Sequence, residues 1–429
     1  MRNPNPGPFA AIRKLMAGYC SKGEFPACSA AFVQGGEIVL EHAEGKVGDS
    51  DATADTVFMV ASISKPFLAV LALQCQRRGE LKSLDASIND YIPLPVIHPS
   101  HRNVPITIRH LLTHKSGLND DESALLKGCR WRSEGRDSPI ALDRYVKWRL
   151  SHEHKHDNDV KWSKEPPGSA KYHYSNAGMT LLGHVLECAT KTELHDLARE
   201  RIFKPIGMVN TFYHLSEAEK VDKDGKSDDK TKVAGKGGTA RPKSINFNEN
   251  RATTSKNSPP PLSQGRMLAV PTTKSSVGKE GHYGVAEFPA AGLRSTASDL
   301  AKFILAMAAE TGREKLGLTT ADIDEMMPDG FTNGLAWWGK DAWYGDKRGG
   351  VWSHGGFMPG VRSHIYIWPR GKGITTSGQK NGGDKNVGGQ KDSSSASNEP
   401  TMMGAIFLSN GQGSYLELAE LFEEIVCNS

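Results

Sequence analysis

The chain has 429 residues, 38% of them hydrophobic and 24% charged, a globular composition with length enough for a sizeable core and a deep pocket. Its formal net charge is only +4 and the excess base falls mostly in loop-like segments, so neither a nucleic-acid nor a membrane partner is expected. No apolar run is long enough to cross a bilayer or to act as a secretory leader, and six cysteines without Cys-x-x-Cys spacing fit a reduced, cytoplasmic protein.

In chain order, residues 9–21 predict an amphipathic helix with Phe9, Ile12, Leu15 and Met16 on one side. Segments 28–33 and 37–41 flank Gly35-Gly36 as a β-hairpin. After a loop comes Phe58-Met-Val-Ala-Ser62-Ile-Ser-Lys65-Pro66, then a run in which Phe67, Leu68, Val70, Leu71 and Leu73 nearly encircle a helix that stops at Gly79. Such a helix is central and buried. Ser62 stands at its start with Lys65 one turn on and on the same face, where an amine can take the hydroxyl proton and the helix N-terminus can stabilise developing negative charge. The same spacing recurs at Ser227/Lys230, Ser276/Lys279 and Ser377/Lys380, all in polar sequence; only Ser62/Lys65 opens an apolar helix. The bland alternative is a capping Ser62 beside a solvated Lys65.

Residues 106–112 predict a short helix ending in Thr113-His-Lys-Ser-Gly117-Leu. His110 and His114 are four apart but lack the intervening glutamate of His-Glu-x-x-His, and are read as structural. From about 121 to 165 the chain is charged and carries Trp131, Trp148 and Trp162, which suggests helices and loops bordering a cavity. His152-Glu-His-Lys-His156 reads as a hydrated loop rather than a metal site, because no further ligand is implied by spacing. Tyr174 and Asn176 follow on a turn before the helix expected over 179–190. They are either a phenol and an amide projecting into a cleft or a packed Tyr with an ordinary Asn cap.

Hydrophobic periodicity is lost from 216 to 280, an insertion or lid. It resumes at Phe288, which leads into a helix over 300–309. Short strands are expected at 334–338, 351–354, 361–368 and 402–409, with a polar hairpin insertion at 370–400 and a closing amphipathic helix over 415–426. Strands at both ends around a helical block (82–215) imply an α/β chain of the α+β kind, read as one catalytic domain over 9–429. Glycines within Trp352-Ser-His354-Gly355-Gly356-Phe357 suggest close approach of another backbone or a ligand.

Taken in order, Ser62-Ile-Ser-Lys65, Tyr174-Ser-Asn176 and His354-Gly-Gly356 resemble the three active-site motifs of the serine β-lactamase and penicillin-binding-protein superfamily. The nearest branch is similar to class C β-lactamase-related esterases, D-amino-acid peptidases and acyltransferases. His110-Leu-Leu-Thr-His-Lys-Ser-Gly-Leu118, Ile206-Gly-Met-Val-Asn-Thr211 and Ala291-Gly-Leu-Arg-Ser-Thr-Ala-Ser-Asp-Leu300 resemble further landmarks in the family's order. The resemblance implies a β-lactamase/transpeptidase-like fold, an antiparallel sheet flanked by helices with a helical subdomain, and no cofactor or metal. It implies Ser62 as the acylated nucleophile, Lys65 as its proton partner and Tyr174 as a second acid/base group assisted by Lys65. Asn176 would position Lys65 and substrate, and the N–H groups of Ser62 and Phe357 would form an oxyanion hole beside Gly355 and Gly356.

Lys65 would need a pKa depressed from about 10.4, by burial and adjacent positive potential. One departure bears on substrate: His354 stands where many β-lactamases have the lysine of Lys-Thr-Gly, replacing a permanent cation by a side chain largely neutral at about pH 7. An ester, amide or lactone is therefore expected as the small-molecule acyl donor. The readings are a serine hydrolase working through an acyl-enzyme, an acyltransferase passing the acyl group to an alcohol or amine, and a non-catalytic binding protein on the same fold. Oligomeric state is not legible.

Overall fold

Near the C-terminus Ala405, Ile406, Phe407 and Leu408 are apolar in succession, and a strand of that kind needs cover on both faces. The computed structural model describes residues 9–120, 132–150, 160–169, 171–218, 266–272, 281–328, 333–339, 350–368, 402–411 and 413–427. Within them, strands β1 (Ala27–Gln34), β2 (Glu37–Val47), β3 (Ser50–Asp51), β4 (Trp338–Gly339), β5 (Trp352–Met358), β6 (Val361–Trp368) and β7 (Met403–Ser409) form one sheet. Its order is β4-β5-β6-β7-β1-β2-β3, and every neighbouring pair is antiparallel. The first and last parts of the chain thus meet in the middle, where β1 pairs with β7.

Side-chain alternation sorts the strands between two cores. Phe32, Tyr366, Trp368, Ala405 and Phe407 pack with Ile12 and Met16 of helix α1 (Ala10–Ser21) and with Leu418 and Phe422 of the C-terminal helix, Leu416–Cys427. On the other face Ala31, Val33, Ile365, Ile367, Ile406 and Leu408 join the larger core with helices α2 (Ser64–Arg77), α3 (Asn176–Thr190) and α4 (Ala297–Ala308). Every residue of α2 from Ser64 to Cys75 is buried, as its all-round apolarity predicts, and Phe67 stacks on Phe303 of α4 at 4.3 Å. Pro66 is tolerated because it lies in the first turn.

The α/β reading and the helices expected at both ends match these elements. Residues 334–338 do not form the expected strand: Ala336 takes φ 59°, its N–H donates to Leu112 O at 2.8 Å, and pairing begins only at Trp338. A turn is required there to bring Trp338 beside Ser353. Residues 219–265, 273–280 and 369–401, which hold most of the two polar insertions, and the His152 to His156 cluster lie outside the described residues. No described helix is long and apolar enough to cross a membrane.

Candidate active site

The turn before α2 is held open by its surroundings. Phe58 and Met59 pair with Ser295 and Arg294, and Val60 N–H donates to Leu293 O at 2.9 Å. Ala61 then adopts φ 47°, a left-handed conformation that costs an alanine about 1 to 3 kcal/mol and persists only when neighbours over-determine it. Ser363 Oγ donates to Val60 O at 2.8 Å, and Ser64 Oγ donates to Ala61 O at 2.5 Å while accepting from Leu293 N at 3.1 Å. Ser64, the other serine of the motif, is thereby turned into the scaffold. Gly356 completes the clamp: a Cβ there would lie 2.1 Å from Ser363 Oγ and 2.4 Å from Val60 O, so β5 reaches the turn only as glycine.

Ser62 follows in the 3-10 turn Ala61–Ile63, whose first N–H groups have no partner within the helix. Its Oγ lies 2.9 Å from Lys65 Nζ and accepts from Tyr174 OH at 2.8 Å. Lys65 Nζ also donates to Asn176 Oδ1 at 2.7 Å and to Ala290 O at 2.9 Å. Three separate segments of chain, 62–65, 174–176 and the carbonyl of Ala290, therefore meet around the Ser62 hydroxyl and the Lys65 amine.

Asn176 and Tyr174 are positioned by a residue that the sequence reading passed over. Asp120 is buried and accepts from Ser175 Oγ at 2.9 Å, from Asn176 N–H and from Ala177 N–H, tying down the start of α3. A carboxylate at a helix N-terminus is favoured. Its place two residues after the Leu118 landmark is the signal that could have found it. Glu287, also missed, accepts from Tyr145 OH and pairs with Arg149 at 3.3 Å.

Burial pulls the Lys65 amine from 10.5 down to about 7, although the carboxylates of Asp120 and Glu287 act against it. Adjacent positive potential, expected to help, is not among its causes: the neighbouring charges are negative. The Tyr174 phenol is pushed well above its ordinary value by burial, with Asp120 and Glu287 adding to the rise and the hydrogen bond to Ser62 only partly opposing it. Tyr174 thus stands as a neutral phenol that holds its proton, with Lys65 Nζ 4.8 Å from the centroid of its ring.

His354 is buried, and its imidazole falls to about 3 because of desolvation and the nearby Lys65. Its Nδ1 donates to Gly355 O at 2.9 Å. His354 and Gly356 share the β5 face turned to the larger core, whereas Gly355 lies against the His364 ring on the opposite face. Phe357 sits on that opposite face too, 47% exposed with the Arg362 guanidinium 3.7 Å from its ring, so its side chain is turned away from the face that carries His354 and Gly356. Strand β4 pairs with Trp352 and Ser353 alone, leaving the β5 edge beside His354 to Phe357 without a strand partner among the described residues.

Of the three tryptophans expected at a cavity, Trp131 lies outside the described residues, Trp148 stacks under Arg144 beside an open hollow, and Trp162 packs on His98. The tryptophan beside the site is Trp338, 6.2 Å from Tyr174 and 6.4 Å from His354 between ring centroids.

Residues 10–423 match the Beta-lactamase family profile. The chain is 28% identical over 197 residues to Beta-lactamase-like protein 2 of Dictyostelium discoideum, covering 44% of this chain and 33% of that protein. It is 30% identical over 202 residues to Esterase EstB of Burkholderia gladioli, covering 43% of this chain and 46% of that protein. The matched stretch thus spans less than half the length of either relative. An octameric penicillin-binding protein homologue from Pyrococcus abyssi shares the fold, with a TM-score of 0.62 at 17% identity over 96% of this chain and 77% of that one. On a profile matched along nearly its whole length, the chain belongs to the beta-lactamase family.

Proposed function

We propose that this chain is a serine hydrolase that works through a covalent acyl-enzyme on Ser62, with an ester, amide or lactone as acyl donor. The arrangement around Lys65 carries the reading. Asn176 Oδ1 and Ala290 O can only accept, so a neutral amine gives them its two hydrogens and turns its lone pair to the Ser62 hydroxyl. With the amine titrating near 7, that base form is well populated at neutral pH.

Ser62 Oγ attacks the acyl carbon as its proton passes to Lys65 Nζ. The carbonyl oxygen, becoming an oxyanion, is received by the N–H groups of Ser62 and Phe357; losing one such donor typically costs about 3 kcal/mol. Tyr174 then protonates the departing oxygen or nitrogen and recovers its proton from Lys65. Water repeats the sequence on the acyl-enzyme, releasing the acid and restoring Ser62. The buried, neutral His354 offers no cation to a substrate carboxylate, which supports an uncharged acyl donor. The printed name of Esterase EstB agrees with ester chemistry. Free thiols at Cys20, Cys28, Cys75 and Cys188 fit the reduced, cytoplasmic setting expected for the chain.

Intact-protein mass spectrometry after a fluorophosphonate and a small activated ester tests the reading. One adduct is expected on wild type and none on Ser62→Ala; an adduct that survives Ser62→Ala rejects it. Decay of the acyl adduct in water alone marks a hydrolase, whereas decay that requires an added alcohol or amine marks an acyltransferase.

A further inference from the structure

Tyr174 lies in the segment just before α3, so the position of its hydroxyl depends on what holds that segment. His114 is in contact with it at three points. Its carbonyl accepts from His173 N at 3.0 Å and its ring Nδ1 accepts from Ser175 N at 3.1 Å, so one residue bonds the main chain on both sides of the phenol. Its ring also lies on the Tyr174 ring, with centroids 4.7 Å apart and planes at 30°. Trp338 backs both rings, 6.1 Å from His114 and 6.2 Å from Tyr174.

The bond from Ser175 N fixes the tautomer. A backbone N–H only donates, so Nδ1 is bare and the neutral ring carries its proton on Nε2. That Nε2 is buried without a partner, and the backbone at His114 is left-handed with φ 54°. Both features are unfavourable for a residue that merely fills space, although histidine tolerates this conformation better than most. Burial, with Lys65 and His354 nearby, holds the imidazole well below its ordinary range and keeps it uncharged.

We infer that His114 is a positioning residue of the Ser62 site: by bonding the chain on both sides of Tyr174 and covering its ring, it aims the phenol for proton delivery to the leaving group. The inference rests on the acyl-enzyme reading above. It separates the pair His110/His114, because His110 closes the cap of the helix Ile108–Leu112 through Thr107.

The test compares two esters of one acid, a p-nitrophenyl ester whose leaving group departs without protonation and an ethyl ester whose leaving group needs it. His114→Leu should lower kcat/KM by about 10-fold or less on the first and about 100-fold on the second. His114→Gln, whose amide oxygen can still accept from Ser175 N, should recover part of that difference. In a Tyr174→Phe background His114→Leu should add less than about 3-fold, because the two residues act through one proton. Equal losses on both esters, or an undiminished effect without the phenol, overturn the inference.

Two measurements stand apart from turnover. Absence of fluorophosphonate labelling on wild type is failure of the Ser62 reading itself. Imidazole 15N shifts of wild type then decide the geometry: a bare Nδ1 and a protonated Nε2 on His114, unchanged from about pH 5 to about pH 9, support the assignment, and a protonated Nδ1 refutes it whatever the activity.

Discussion

Lys65 and His354 bring two basic side chains into one charge field, from α2 on one wall and β5 on the other, and burial treats them alike while their neighbours do not. Desolvation drives both toward neutrality. At Lys65 the carboxylates of Asp120 and Glu287 oppose it, and the amine comes to rest at about 7. At His354 the basic neighbours Lys65 and His364 reinforce it, the bond to Gly355 O opposes it only in part, and the imidazole falls to about 3. One wall thus keeps a base that titrates under working conditions and the other a group that stays neutral throughout. Their hydrogen bonds differ in the same sense: Lys65 has three partners, whereas His354 Nε2 is buried with none.

The comparison breaks most severely at Lys65→Met, which should lower kcat/KM by about 10⁴-fold by removing the base. The same variant reads the burial cost. The native amine titrates at about 7 and the ordinary one at 10.5, so the unfolded chain binds more protons between those values and wild-type stability from this group rises with pH across that window. Chemical denaturation should therefore show Lys65→Met gaining on wild type by a few kcal/mol below about pH 7, with the advantage shrinking toward pH 10. A gap that does not change with pH would show that Lys65 is charged in the folded protein.

Gly356→Ala attacks the other wall through shape alone. With Val60 O and Ser363 Oγ in the way, the strand must retreat from the Ser62 turn, and about 100-fold in kcat/KM with about 1 to 3 kcal/mol of stability should be lost. Wild-type activity at Gly356→Ala would mean that β5 does not help form the oxyanion site.

His354→Gln keeps an uncharged polar group and should change kcat/KM by about 10-fold or less, leaving the acid limb of the pH–rate profile in place. Movement of that limb by more than about half a unit would mean that His354 carries charge when folded. The smallest effect is expected from Glu287→Gln. Removing a carboxylate that raises the Lys65 pKa should shift the acid limb from about 7 to lower pH, by about half a unit to one unit, with little change on the plateau. A shift upward would contradict the sign of the field.

Ser62, Lys65 and Gly356 were legible because their chemistry is tied to local pattern. The serine and lysine open an apolar helix, and a glycine inside a strand points to close approach. Tyr174 and Asn176 could be read from the residues only as one of two possibilities, since a turn before a helix looks the same whether its side chains face a cleft or the core. Asp120, Glu287 and His114 were not recovered. Asp120 acts through backbone N–H groups more than fifty positions away, and His114 through a ring contact and two main-chain bonds to residues 173–175. No spacing rule reports such contacts.

The sequence by itself determined the helices at both ends, the strands there apart from 334–338, the buried α2 and the order of the three motifs, because each rests on periodicity or on neighbours a few residues apart. The tertiary structure alone decided the state of the side chains. The Lys65 amine falls to about 7, the Tyr174 phenol keeps its proton and His354 goes without charge only when distant segments close over them, because desolvation and the field of Asp120 and Glu287 exist only in the folded chain.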